Sequence, residues 1–491
     1  MSYDLFLVLL GVYAIAYVAY FGLSARPSHS IYACLATWLF VPKQARAIYF
    51  SPDAPDWPDG TNLFTFVEAV AVLAVAVALI VRRVGAGEKS ARLLRRAALF
   101  MVVVAALALA LPMTFLAYDV PAGIGGLWRF LEGTVEPQYR LLPALQILYG
   151  FVLACAASSF IKTRRQVELI FTLFVASGVE LTVEAIVFHH LKLVPSLQGW
   201  AVHQTGRFMS LTFSDYTIVG IVGIASICCS AYFIIARRIV WLIPLVPLLV
   251  LPIVDSYQRA PVTGAVLATV FLLWANMRPA SRRLFGLVGI PVIVAILIFV
   301  NVREAVAPVE AALGGEVRPE YLGTSTLEHR RALFLRTLDV LIFAFPFGVG
   351  PGMVQHAMNY AIPETMVGYN SAESAGFYVA VVSGLRPTTS HNSYLEFLTS
   401  YGLAGMACVA YWVYVVGRNF RNWARRSRGP ADLKDRRLVM AQACAFATLI
   451  GSGGAAFFDT YILPFYFYMM LTHITGLSRW PEPRPTVQVL A

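Results

Sequence analysis

Long uncharged apolar runs recur along almost the whole chain. They fall near 4–21, 31–41, 64–81, 97–117, 141–160, 167–189, 213–236, 240–254, 261–275, 284–300, 393–416, 438–458 and 462–477. Most are long enough to cross a hydrocarbon core of roughly 30 Å as a helix. The second, eighth and ninth are short, which fits little tilt or a re-entrant path. The pattern predicts an all-α fold, a polytopic membrane helix bundle of about 12–13 spans. The first run lacks a basic flank and a small-x-small cleavage site, so it is expected to be retained.

Between the runs, alternate loops are basic. They hold Arg82, Arg83, Lys89, Arg92, Arg95 and Arg96, then Lys162, Arg164 and Arg165, then Arg237 and Arg238, then Arg278, Arg282 and Arg283. The last basic loop carries Arg418, Arg421, Arg425, Arg426, Arg428, Lys434, Arg436 and Arg437. With thirteen spans these loops share one side, which the positive-inside rule makes the cytoplasm. The other side then holds the connection 301–392, the longest in the chain and of a length that usually carries function. Within it, 332–343 is apolar but broken by Arg336 and Asp339, as in an interfacial amphipathic helix. The expected organisation is an N-terminal transmembrane bundle at 1–300, a long periplasmic loop with catalytic elements at 301–392, and C-terminal transmembrane helices with a cytoplasmic tail at 393–491.

Composition changes this picture little. Only 13% of the 491 residues are charged, about half the usual fraction. The net charge of +11 would suggest nucleic acid in a soluble protein. Here the basic loops account for much of it, and no nucleic acid partner is expected. The six cysteines all lie in apolar segments without metal spacing and read as small packing residues.

Several residues do not suit a passive membrane protein. Arg207, Arg259, Arg330 and Arg331 lie on the outer side, where topology asks for no arginine. Near membrane depth a guanidinium needs a partner or a wet cavity. Clustered guanidinium groups suit a diphosphate, to which each gives two parallel hydrogen bonds. Singly, each has a plainer reading: Arg259 stands four residues after Asp255 and can pair with it, and Arg207 can reach lipid headgroups.

The sharpest local signal runs from His391-Asn392-Ser393 to Gly402 and Gly405. Ser393-x-x-Glu396 reads as a capping box, which puts His391 and Asn392 at a helix mouth. The partial positive charge there favours a neutral imidazole able to take up a proton. The plainer reading is a histidine that caps or hydrates the helix end. Gly402 and Gly405 are spaced to admit a neighbouring helix. Phe347-Gly348-Val349-Gly350-Pro351-Gly352 reads equally as an anion cradle or a tight turn. His203, His329 and His356 also fall outside, while His189, His190 and His473 are expected at helix ends or packed in the bundle.

These motifs together resemble the O-antigen ligase and O-antigen polymerase superfamily. His391, Asn392, Gly402 and Gly405 match its H-[NSQ]-x9-G-x-x-G pattern. Arg330/Arg331 followed by Pro346-Phe347-Gly348-Val349-Gly350 match its arginine, amphipathic helix and P-x-x-G-V-G. Ser256-Tyr257-Gln258-Arg259-Ala260 looks like its serine-arginine-glycine turn with two residues inserted. Gly206-Arg207-Phe208 looks like its arginine ahead of a span, but Ser214-Asp215-Tyr216 replaces the usual Pro-Asn continuation.

The resemblance implies a metal-independent, inverting glycosyltransferase with no cofactor. It implies transfer from an undecaprenyl-diphosphate-linked glycan donor to a glycan or lipid A-core acceptor, at the periplasmic face of a bacterial inner membrane, with membrane lipid as surroundings. His391 would be the catalytic base, and Arg207, Arg259, Arg330, Arg331 and Asn392 would bind substrate. The competing reading is a transporter or flippase of lipid-linked glycans, for which inverted repeats or mid-membrane charges would speak.

Overall fold

The computed structural model describes residues 3–42, 66–82, 152–153, 156–202, 206–213, 216–256, 259–277, 281, 285–289, 334–335, 337–338, 340–342, 345–346, 348–349, 354, 392–427 and 433–456. The spans expected at 97–117 and 462–477, and most of those at 141–160 and 284–300, lie outside these residues. So do His391, Arg330 and Arg331.

The described residues are helical, with no strand beyond a single Val202–Phe208 bridge. The helices are α1 (Tyr3–Tyr17), α2 (Ser28–Phe40), α3 (Phe66–Val81), α4 (Arg164–Glu184), α5 (Pro195–Ala201), α6 (Tyr216–Arg237), α7 (Leu245–Asp255), α8 (Arg259–Asn276), α9 (Ser393–Arg426) and α10 (Leu433–Ala456). A π-helical turn, Ala185–His190, extends α4. Arg164–His190 and Ile218–Arg237 are long and apolar enough to cross a membrane. The short run expected at 240–254 is a 3-10 turn followed by α7. Proline fixes φ and lacks an N–H, so Pro244, Pro247 and Pro252 limit what that run can form.

Many outward faces are apolar while the interior is studded with small polar residues. Ile15 and Ile80 are 73% and 75% exposed, whereas Ser177, Ser226 and Ser230 are wholly buried. This suits lipid outside and close helix packing inside, where small residues let backbones approach. Ser226 Oγ lies 2.6 Å from the Phe174 carbonyl on α4. A methyl group on Gly264 of α8 would strike the main chain at Gly451 of α10, and one on Gly451 would strike Gly264. Cys34, Cys228, Cys229 and Cys444 are buried free thiols, as packing residues should be.

Contacts fix which helix ends lie together. A capping box starts α4: Thr163 accepts from Gln166 N, and the Gln166 side chain accepts from Thr163 N at 2.9 Å. Glu168, one turn on, takes Arg164 at 2.7 Å, Arg237 at 3.7 Å and the Tyr232 hydroxyl at 2.8 Å. Two of the basic loops therefore meet at one end. Gly220 packs on Pro261, so α6 and α8 run side by side in the same direction. The far end of α8 stacks Trp274 against Trp423 near the basic end of α9. Trp423 Nε1 donates to Val439 O near the start of α10. The basic ends of α4, α6, α9 and α10 thus share one end of the bundle. The opposite end carries His190, the 206–213 loop, Asp255, the first residue of α8 and the start of α9, whose Tyr394 hydroxyl donates to Gly453 O.

Candidate functional site

Two sites of close main-chain contact stand at that opposite end. The first joins the segments carrying Arg207 and Arg259. Asp255 closes α7, and its carbonyl accepts from Phe208 N at 2.9 Å, next to Arg207. Four residues later Arg259 opens α8. The fold therefore brings the two arginine segments, 52 positions apart in the sequence, to one turn.

The Arg207 loop is tied down on several sides. Met209 N donates to Ala201 O at 2.7 Å. Leu211 N donates to the Glu184 carboxylate at 2.9 Å, and the Thr212 hydroxyl to Glu180 at 2.5 Å. Glu180 and Glu184 are one turn apart on α4, so the outer stretch of that helix grips the loop directly. Both carboxylates are half-buried, where a carboxylate gains from hydrogen-bond donors, and the loop supplies them to Glu184 Oε2 and Glu180 Oε1.

Asp255 itself is 5% exposed. Its Oδ2 accepts from His190 Nε2 at 2.8 Å, and its Oδ1 lies 3.9 Å from His189 Nε2. Among the described side chains, the partners of Asp255 are histidines 65 and 66 positions earlier in the sequence, while its spacing-based pairing with Arg259 falls on a side chain outside the described residues. The π-helical turn sets both histidines at the end of α4, as the sequence suggests, but their carboxylate partner was invisible there. Among the described residues, His189, His190 and Asp255 are the group with ligand atoms close enough for a metal, all within 4.8 Å. The direct 2.8 Å bond makes them a histidine–carboxylate pair as they stand. Beside them a cavity of about 580 Å³ is lined by His189, Lys192, Gln198, Val202 and Gly206.

The second contact joins the two glycine-bearing motifs. Asn392, not Ser393, is the N-cap of α9, and its Oδ1 accepts from Tyr394 N at 3.1 Å and Leu395 N at 2.9 Å. Three turns on, the helix breaks at Gly402, with φ 55° and ψ −138°. In an unbroken helix Leu403 N would donate to Thr399 O. Instead Leu403 N donates to Pro346 O at 2.7 Å, and Thr399 O accepts from Val349 N at 3.0 Å. One rung of the helix is handed to the Pro346-Phe347-Gly348-Val349 segment. Gly348 has φ 82°, and a methyl group there would strike the main chain of Ser400 and Gly402.

This corrects one expectation. The apolar run at 393–416 is part of one 34-residue element, but it is broken. Among the described residues, the backbone that closes on Gly402 is that of the long connection at Gly348. Pro346 and Val349 spend a carbonyl and an amide on α9, while Phe347 and residues 350–352 of the glycine-rich motif lie outside the described residues. The helical residues described at 334–335, 337–338 and 340–342 lie against α9 too, with Thr337 and Val340 buried and the Thr399 hydroxyl 3.4 Å from Thr337 O.

Of the expected site residues, Arg207, Arg259 and Asn392 come to the same end of the bundle. The side chain of Arg259 lies outside the description. His391 adjoins Asn392 in sequence and has no described position.

Neither the curated proteins nor the solved structures contain a match to this chain. Residues 244–410 match a family model described as O-Antigen ligase. The match covers the Asp255–Arg259 turn, Arg330/Arg331, the Pro346–Gly352 segment and His391 through Gly405, and it leaves Arg207 outside. Over those residues the chain is similar to the O-antigen ligase family, which supports the resemblance to the O-antigen ligase and polymerase superfamily read from its motifs.

Proposed function

We propose that the protein is a multi-pass glycosyltransferase of a bacterial inner membrane, of the O-antigen ligase or polymerase type. It moves a glycan from undecaprenyl diphosphate to a sugar hydroxyl, on lipid A-core or on another growing glycan, at the periplasmic face. The observation that carries this reading is the match at 244–410, because that stretch holds four of the five candidate polar site residues together with His391. The gathering of Arg207, Asp255, the start of α8 and Asn392 at the end away from the basic loops supports it. The long connection 301–392 then serves as the catalytic segment between a bundle at 1–300 and the helices of 393–491. The same match favours this enzyme over a transporter of lipid-linked glycans.

The chemistry follows from the residue types. A sugar hydroxyl is a weak nucleophile, so its proton leaves as its oxygen attacks the anomeric carbon. His391, beside the capped mouth of α9, takes that proton. The bond from the anomeric carbon to the diphosphate oxygen breaks with its electrons on the leaving group. Arg207 and Arg259, with Arg330 or Arg331, hold the charge that develops there. One displacement inverts the anomeric centre, and guanidinium groups carry the charge that a metal carries elsewhere. Asn392 fixes the helix end next to the base.

The test is His391→Ala in a purified transfer assay with lipid-diphosphate glycan and acceptor. The loss of a general base costs about 10²–10⁴-fold in rate. Donor binding should stay near wild type, because the base touches the acceptor hydroxyl. A folded His391→Ala protein that transfers glycan at wild-type rate refutes this assignment.

A further inference from the structure

Asp255 is linked to three pieces of chain at once. Its carboxylate takes the His190 imidazole at 2.8 Å, which fastens it to the end of α4. Its carbonyl takes Phe208 N at 2.9 Å, which fastens the Arg207 loop. Its own chain runs on through Ser256, buried with its hydroxyl donating to Ile253 O at 2.7 Å, to Arg259 at the start of α8. Its side chain is 6% exposed, while that of His190 is 45% exposed.

A carboxylate that deep needs a hydrogen-bonded partner to stay charged or buried at all. His190 is the partner nearest its Oδ2. Without that bond the carboxylate gains by turning toward water, and the turn it terminates moves with it. Because the Arg207 loop hangs on the carbonyl of the same residue, both arginine segments move together.

We propose that Asp255, held by His190, is a positioning residue that sets the spacing of Arg207 and Arg259 for a lipid-linked diphosphate. This rests on the functional reading above, in which those arginines hold the donor. Asp255 does not touch the diphosphate. Its negative charge would repel one, and burial against His190 keeps that charge off the site. Two guanidinium groups grip one diphosphate only when their planes are correctly placed, so a small shift of the turn costs binding without removing any positive charge.

The experiment measures the affinity of undecaprenyl diphosphate for the full-length protein in detergent, with Arg207→Ala and Arg259→Ala as reference. Asp255→Ala and His190→Ala should each weaken binding by about tenfold or more, the ratio that losing one charge-assisted hydrogen bond corresponds to. Asp255→Asn can still accept from His190 Nε2 and should stay within about threefold of wild type. The double variant Asp255→Ala/His190→Ala should be no worse than the worse single one, since both act through one bond. If Asp255→Ala does not fold, His190→Ala and Asp255→Asn carry the test alone. Wild-type binding by a folded His190→Ala protein overturns the proposal. So do losses that multiply in the double variant, or a loss in Asp255→Asn as large as in Asp255→Ala. If instead the two arginine variants bind as well as wild type, the donor-site reading itself fails.

Discussion

The rung that α9 hands to the Pro346–Val349 segment makes Gly348→Ala a demanding test of the structure. At φ 82° an L side chain is strained, by about 1–2 kcal/mol. The added methyl group meets main-chain atoms of Ser400 and Gly402, which cannot rotate away as a side-chain tip can. Relief requires the segment to lift, and lifting breaks two hydrogen bonds, Val349 N to Thr399 O and Leu403 N to Pro346 O. Each is worth about 1 kcal/mol net, more if its groups are left dry. The sum is about 3–4 kcal/mol, concentrated in one contact. The assay is hydrogen exchange on the detergent-solubilised protein, read at peptides that hold Val349 and Leu403. A local opening cost lowered by 3 kcal/mol raises exchange there by about two orders of magnitude. Gly417→Ala is the control, because that glycine lies in the same helix with nothing within 4 Å of the added carbon. It should leave exchange unchanged or slow it slightly, as alanine favours helix. Protection at Leu403 equal to wild type in Gly348→Ala would refute the shared rung.

Two more outcomes follow from the site and its orientation. Arg207→Lys and Arg259→Lys keep charge but lose the planar fork, so each should weaken undecaprenyl diphosphate binding measurably while the protein stays folded; binding at wild-type strength speaks for headgroup or structural roles. Single cysteines at 315 and 429 should differ toward an impermeant thiol reagent in cells with a permeable outer membrane, with Gly315→Cys labelled and Gly429→Cys protected; the reverse pattern inverts the topology and removes the periplasmic site.

The helices were legible because long uncharged runs have one common solution in a membrane, and α4, α6 and α8 fall within a few residues of the runs that predict them. Their ends were less so. Ser393 and Asn392 are both good caps with a glutamate nearby, and only backbone geometry chooses Asn392. The break at Gly402 was illegible for a similar reason, since two glycines three apart in an apolar run read the same whether they admit a helix or a loop. Motif resemblance did single out both halves of the shared rung, Pro346–Gly350 and Gly402, yet gave no hint that they bond to each other. The His190–Asp255 bond left no trace in local spacing. Histidine and aspartate lie 65 positions apart, and the nearer arginine, four residues on, offered a simpler partner.

The shared rung also bears on how the protein is made. Val349 leaves the ribosome 54 residues before Leu403. At bacterial rates of synthesis that is a wait of roughly 3–10 s. During this interval the Pro346 carbonyl and Val349 amide have no α9 to bond, and the segment stays solvated. Gly264 likewise waits for Gly451, 187 residues later, before α8 gains its closest neighbour. The end of the bundle opposite the basic loops is therefore completed last, by helices from the final fifth of the chain. A nascent chain stalled before α9 can form its earlier helices and still lack both the shared rung and the close contact between Gly264 and Gly451.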